Sequence, residues 1–226
     1  MKIEMQKLSW RARNVLFSCG LFFFFLSSSC STQANIPTVS DDLAELLVRN
    51  EAAQIVAVSE DKGRFSEYQI FLSDFPRKDI LGMSIGNRRI YISHELAKRA
   101  SRRSSYLWLL RQTLAHEIAH ETADHALRNG GSSFNYFSIG RGISGIDVGL
   151  PLTVRFRPYS VEKELDADLR GLQYWGKLGW DCHIWVGILR RFRDENYPGD
   201  VLHPTDKRLH QAQGACLARK YSSEAS

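Results

Sequence analysis

The chain has 226 residues and a formal net charge of +5, from 30 Lys+Arg against 25 Asp+Glu. That length fits one domain plus an appendage. Residues 1–29 hold four of the basic residues and one of the acidic ones, so the remainder carries only +2. Reading the charge as a nucleic-acid footprint is thereby excluded, and no nucleic-acid partner is expected.

The appendage comes first. Lys2, Lys7, Arg11 and Arg13 precede the apolar run Val15 to Leu26 and the small-residue stretch SSSCSTQAN. This is the order of a secretory signal. Twelve helical residues rise only ~18 Å, short of the roughly 30 Å hydrocarbon core, and no later stretch is apolar enough to span. Cys30, after Ser27, Ser28 and Ser29, resembles the acylated cysteine of a bacterial lipobox, although Ser27 stands where leucine is usual. The expectation is lipidation at Cys30; the alternative is ordinary cleavage between Ser31 and Ala34. The organisation predicted is a signal over 1–29, a tether over 30–40 and one domain over 41–226. Export leaves Cys182 and Cys216, which either pair or stay as free thiols.

Within the domain, Asp41 or Asp42 caps a predicted helix presenting Leu43, Leu46, Leu47 and Ile55. Tyr68–Asp74, Leu81–Gly86 and Arg88–Ser93 read as strands, the last two joined by a Gly86-Asn87 hairpin turn. A short helix over 93–100 and a long one over 104–128 follow, ended by Gly130-Gly131. Residues 130–158, rich in Gly and Ser, read as a long functional loop. Further helices are predicted over 160–178, stopped by Gly179, over 182–193, and after Pro204. The fold class expected is α+β: one mainly helical domain with a small sheet and hairpin before the long helix. Tyr174, Trp175, Trp180 and Trp185 are assigned to its core.

The long helix carries LAHEIAHETADH, Leu114 to His125. His116 and His120 lie four apart, so both reach one side of a helix and one ion. Zinc suits two imidazoles, and Glu117 between them stands ready to take a proton from a water that zinc has made more acidic. Leu109, Leu110, Leu114, Ile118 and Ala119 bury this helix, and burying two histidines and a glutamate without partners costs several kcal/mol. One zinc per chain is therefore expected. The third ligand is not a histidine six residues on, where Ala126 stands. VEKELDADLRG offers Glu162, Glu164, Asp166 and Asp168 instead. Glu164 and Asp168 share one face beside Leu165, Leu169 and Leu172, while Glu162 and Asp166 share another, with Lys163 and Arg170 as solvent partners. Glu164 is chosen as ligand and Asp168 as acceptor for a ligand histidine's second N–H. His125 is placed as a structural histidine on a continuing helix, off the ligand face. His94, His183 and His210 are assigned to surface or cap positions. His203 either donates to the oxyanion, with Tyr159 second for that part, or swings onto the metal and silences the resting enzyme.

LAHEIAH with His125, then ELDAD, then HPTDKR resemble the HtpX-like and CAAX-prenyl-endopeptidase family of zinc metallopeptidases, and IGNRRIYIS looks like that family's hairpin. The similarity covers roughly residues 80–210. It implies Glu164 as third ligand, Glu117 as base, Asp168 behind a histidine, and an arginine shortly after His203-Pro204. The chain departs from the family in lacking transmembrane helices, in Glu121 and Thr122 at usually apolar places, and in Leu202 before His203. The activity implied is an endopeptidase of the bacterial envelope, a periplasm-facing lipoprotein anchored in the outer membrane. Its partners would be unfolded or misfolded substrates and envelope assembly proteins. A zinc-containing binding or chaperone-like lipoprotein is the alternative.

Overall fold

The hairpin expected before the long helix supplies two strands of a three-stranded sheet. In the computed structural model, which describes residues 36–75, 77–126, 135–137, 153–155, 159–195 and 204–224, β1 (Gln69–Ser73) runs parallel to β3 (Arg89–Ser93). β2 (Gly82–Ser84) closes the antiparallel hairpin on the other side of β3 and forms the sheet edge. The turn between them takes Gly86, Asn87 and Arg88 through positive φ. A left-handed arginine is unfavourable by itself. Here it is held from both ends: its N–H donates to Glu121 at 2.7 Å, and its guanidinium bonds Asp61 at 3.0 and 3.1 Å.

Around the sheet stand α1 (Asp42–Val56), α2 (His94–Ala100), α3 (Ser104–Thr122), α4 (Val161–Lys177), α5 (Cys182–Asp194) and α6 (Thr205–Glu224). The class is α+β, and residues 35–226 form one compact unit. No helix among the described residues is long and apolar enough to cross a membrane.

Three expectations need correction. The buried stripe of α1 is Ala44, Val48, Ala52, Ile55 and Val56, whereas Leu43 and Leu46 are 79% and 58% exposed. This stripe faces the core, and on the same side Glu51 pairs Arg111 of α3 at 2.7 Å, which turns Leu43 and Leu46 outward. Residues 130–158 hold two short paired strands, β4 (Asn135–Phe137) and β5 (Thr153–Arg155), rather than loop throughout. Tyr136, Phe137 and Val154 supply the strand preference there. Finally, α3 ends at Thr122 instead of running to 128. Asp124 turns left-handed at φ 52°, Asp124 N–H bonds Glu121 O at 3.1 Å, and His125 N–H bonds His120 O at 3.0 Å. This is a Schellman ending with aspartate in the usual glycine place.

The core runs from α1, α2 and strands β1 and β3 through α3 to α4, α5 and α6; Tyr174, Trp175 and Trp185 are buried in it as expected and Trp180 is partly covered. Gly171 sets the spacing of α3 and α4. A Cβ there would lie 2.8 Å from the Trp185 ring and 3.1 Å from the Ala115 carbonyl, so the two backbones meet at this point. Cys182 and Cys216 are disulfide-bonded, Cα to Cα 5.8 Å, which ties the start of α5 to α6. With a sequence separation of 34, replacing both by serine should cost about 2–4 kcal/mol. Urea unfolding with and without reductant measures it; unchanged midpoints would mean the crosslink holds nothing in place.

Candidate functional site

α3 presents His116 and His120 toward α4, and the close approach at Gly171 brings the Glu164–Asp168 face of α4 against them. His116, His120 and Glu164 are all buried, with one ligating atom from each lying within 4.8 Å of the others. Nε2 of His116 and Nε2 of His120 are 3.1 Å apart, and Oε2 of Glu164 is 3.0 and 3.6 Å from them. Three convergent donors on two packed helices can hold a metal ion. The grouping of Asp181, Cys182 and His183 is different: Cys182 is in the disulfide, and Asp181 caps α5 through His183 N–H.

Behind each histidine sits a partner on its Nδ1. His116 Nδ1 meets Asp168 Oδ1 at 3.0 Å, as the sequence predicted. Asp168 is clamped in turn by Arg208 from α6, Nε at 2.5 Å and the second nitrogen at 2.8 Å. His120 Nδ1 meets Nδ1 of His125 at 2.9 Å, and His125 Nε2 lies 3.2 Å from Asp166. His125 therefore does not continue the helix. The Schellman turn folds it back, because that motif sets its sixth residue against its first.

Charge follows this arrangement. Burial works against a charged His116, but hydrogen bonds to Asp168 and Glu164 outweigh it and push the imidazole up to about 10. Burial pushes His120 down to about 3 despite Glu164. Burial would raise Asp168, yet Arg208 and His116 hold it well below the usual carboxylate range.

Two further residues frame the cluster. Tyr159 stacks on the His120 ring at 4.1 Å, and its hydroxyl donates to the Ser84 carbonyl on the β2 edge at 3.0 Å. Burial and the nearby carboxylates of Glu117, Glu121 and Glu164 raise that phenol. Glu121 accepts from Ser84 Oγ, from Gly86 N–H at 2.8 Å and from Arg88 N–H, so one buried carboxylate pins the hairpin to α3. Glu117 is buried beside β2, where a Cβ on Gly82 would lie 3.1 Å from its Cγ and 3.2 Å from its Oε1.

The predicted site residues thus divide. His116, Glu117, His120, Glu164 and Asp168 come together, while His203 and Cys30 lie outside the described residues. On the other face Arg170 pairs with Asp166 at 2.8 Å, as expected, but Asp166 also lies 3.2 Å from His125 Nε2, and Lys163, read as a solvent partner, donates to the His125 carbonyl at 2.8 Å. Arg208, Tyr159, Glu121 and His125 hold parts that spacing did not assign to them. Arg208 and His125 had a signal in the motifs that carry the resemblance, and Tyr159 was considered only as an oxyanion donor. His94 pairs Asp41 at 3.0 Å and His183 and His210 are exposed, as expected of surface and cap residues. No protein-family model matches the chain, and no curated protein matches its sequence.

Proposed function

We propose that the protein is a zinc-dependent endopeptidase of the HtpX-like kind, built as a small zincin domain. The observation that carries this reading is the buried three-donor cluster with Glu117 between its histidines. Zinc fits it: tetrahedral bonds of 2.0–2.1 Å require donors about 3.3 Å apart, and the three separations run from 3.0 to 3.6 Å. Two neutral imidazoles and one carboxylate leave a fourth position open, as hydrolytic zinc sites do, whereas structural sites close it with a fourth protein ligand.

Zinc held there would supply Lewis acidity to a water and to a peptide carbonyl. The chain's own groups do the rest. Glu117 takes the proton of the attacking water and returns it to the leaving amine. The outward edge of β2 beside Glu117 offers main-chain groups at Gly82 and Ser84 to an extended substrate. Gly82 lacks the side chain that would push that edge away from Glu117. Tyr159 holds the Ser84 carbonyl and must yield it when a substrate strand pairs there. His203, two residues before the start of α6 in the sequence, is the proposed oxyanion donor. Edge pairing reads backbone more than side chains, which suits unfolded or misassembled envelope proteins as substrates.

His116→Ala and Glu164→Ala are expected to lose the zinc measured in the purified chain, and casein cleavage with it. Tight zinc retention by Glu164→Ala together with its loss in Glu162→Ala would overturn the ligand assignment. For location, the proposal is an outer-membrane lipoprotein facing the periplasm, anchored through Cys30. Cys30→Ala should then move the protein from the membrane fraction to the soluble one, and attachment that survives the change leaves Cys30 without that role.

A further inference from the structure

Asp166 lies on the more exposed side of α4, yet it reaches a buried imidazole that touches the metal cluster. We infer that His125 and Asp166 are a positioning pair for His120, transmitting the charge of a surface carboxylate to a buried ligand and fixing which ring nitrogen it presents. This deepens the metal-site reading and is independent of peptide cleavage.

The proton order follows from what a ligand needs. To offer the Nε2 lone pair to an ion, a neutral His120 must carry its proton on Nδ1. That N–H has one acceptor at hand, Nδ1 of His125 at 2.9 Å. His125 then carries its own proton on Nε2 and donates it to Asp166 at 3.2 Å. Each donor meets one acceptor. The reverse order, with His125 Nδ1–H donating to His120, would put the His120 proton on Nε2, among the donors meant for the ion.

The pair is itself held in place. Lys163 fixes the His125 carbonyl at 2.8 Å, and Arg170 fixes Asp166 Oδ2 at 2.8 Å, one helical turn along α4. The Schellman turn puts the His125 ring 5.0 Å from that of His120. The two ligand histidines thus have unequal supports. Asp168 behind His116 is 2% exposed and neutralised by Arg208, whereas the side chain of Asp166 is 42% exposed. A substitution at the surface should therefore be felt at the metal.

The test uses the purified full-length chain in detergent and zinc alone, with affinity read by competition against a chromophoric chelator. His125→Ala should bind zinc about 100-fold more weakly and Asp166→Asn about 10-fold, the range typical of partners behind metal-ligating histidines. Asp166→Asn keeps an acceptor and removes only the charge. His125→Gln, whose amide both accepts and donates, should recover most of the affinity, and His125→Leu should not. The metal-free unfolding midpoint of Asp166→Asn should match the parent.

Zinc affinity in His125→Ala within about twofold of the parent overturns the inference. So does equal recovery by Gln and Leu, or a loss in Asp166→Asn that tracks a fall in metal-free stability. If the alanine variant does not fold, Asp166→Asn decides alone. A parent chain that takes up no zinc overturns the metal site and this inference together. A parent that binds zinc and cuts nothing overturns only the peptidase reading.

Discussion

Glu117→Gln is expected to keep about one zinc per chain and to cleave unfolded casein at least ~100-fold more slowly, the usual scale for loss of a general base. The amide has the shape of the carboxylate, so the close fit beside Gly82 survives. The three donor atoms are untouched, because Glu117 is not among them. What disappears is the capacity to accept a proton from water and pass it to the amine. Cleavage at the parent rate would remove Glu117 from the mechanism. Turnover absent from the parent, together with binding of unfolded chains that Glu117→Gln leaves unchanged, would favour the chaperone-like alternative.

The parts of this site that were legible in the sequence are those that obey a helical period. His116 and His120 share a face because they are four apart, and Glu164 and Asp168 do so for the same reason. Helical period alone cannot say which acid face of α4 meets α3. The neighbouring leucines gave the answer for Glu164, yet the same argument sent Asp166 and Lys163 to solvent. The miss traces to the end of α3. A glycine would have announced the turn; Asp124 adopts the left-handed conformation without that signal, so the helix was extended and His125 was rotated 140° from its partner. Glu121 shows a second limit. In the sequence it stands only as a departure from the apolar habit of the family the chain resembles, whereas its partners include N–H groups of a turn 33 to 35 residues earlier. In α1 the leucines were the stronger apolar signal, but the stripe that faces the core holds the alanines.

Arg208 lies 40 residues from Asp168, a contact that helical period cannot reveal, and its replacement by methionine should have the largest effect on the fold. Asp168 is 2% exposed and Arg208 12%, and two hydrogen bonds join them. Removing one member of a buried pair leaves a carboxylate without its counter-charge, a loss of about 3–5 kcal/mol. The lower end is expected here, since His116 still faces Asp168 at 3.0 Å. Urea unfolding of the metal-free chain at neutral pH measures the cost. In the Asp168→Asn background Arg208→Met should cost much less, and equal costs in both backgrounds would mean the arginine acts through packing alone. The pH dependence has a definite sign. Asp168 is held below its unfolded value, so its contribution is complete above about pH 4 and is lost as pH falls through the lowered folded value. Asp168→Asn should abolish that part of the acid sensitivity. Zinc affinity should fall with either change, because Asp168 orients His116 and Arg208, on a helix tied to α5 by the disulfide, orients Asp168.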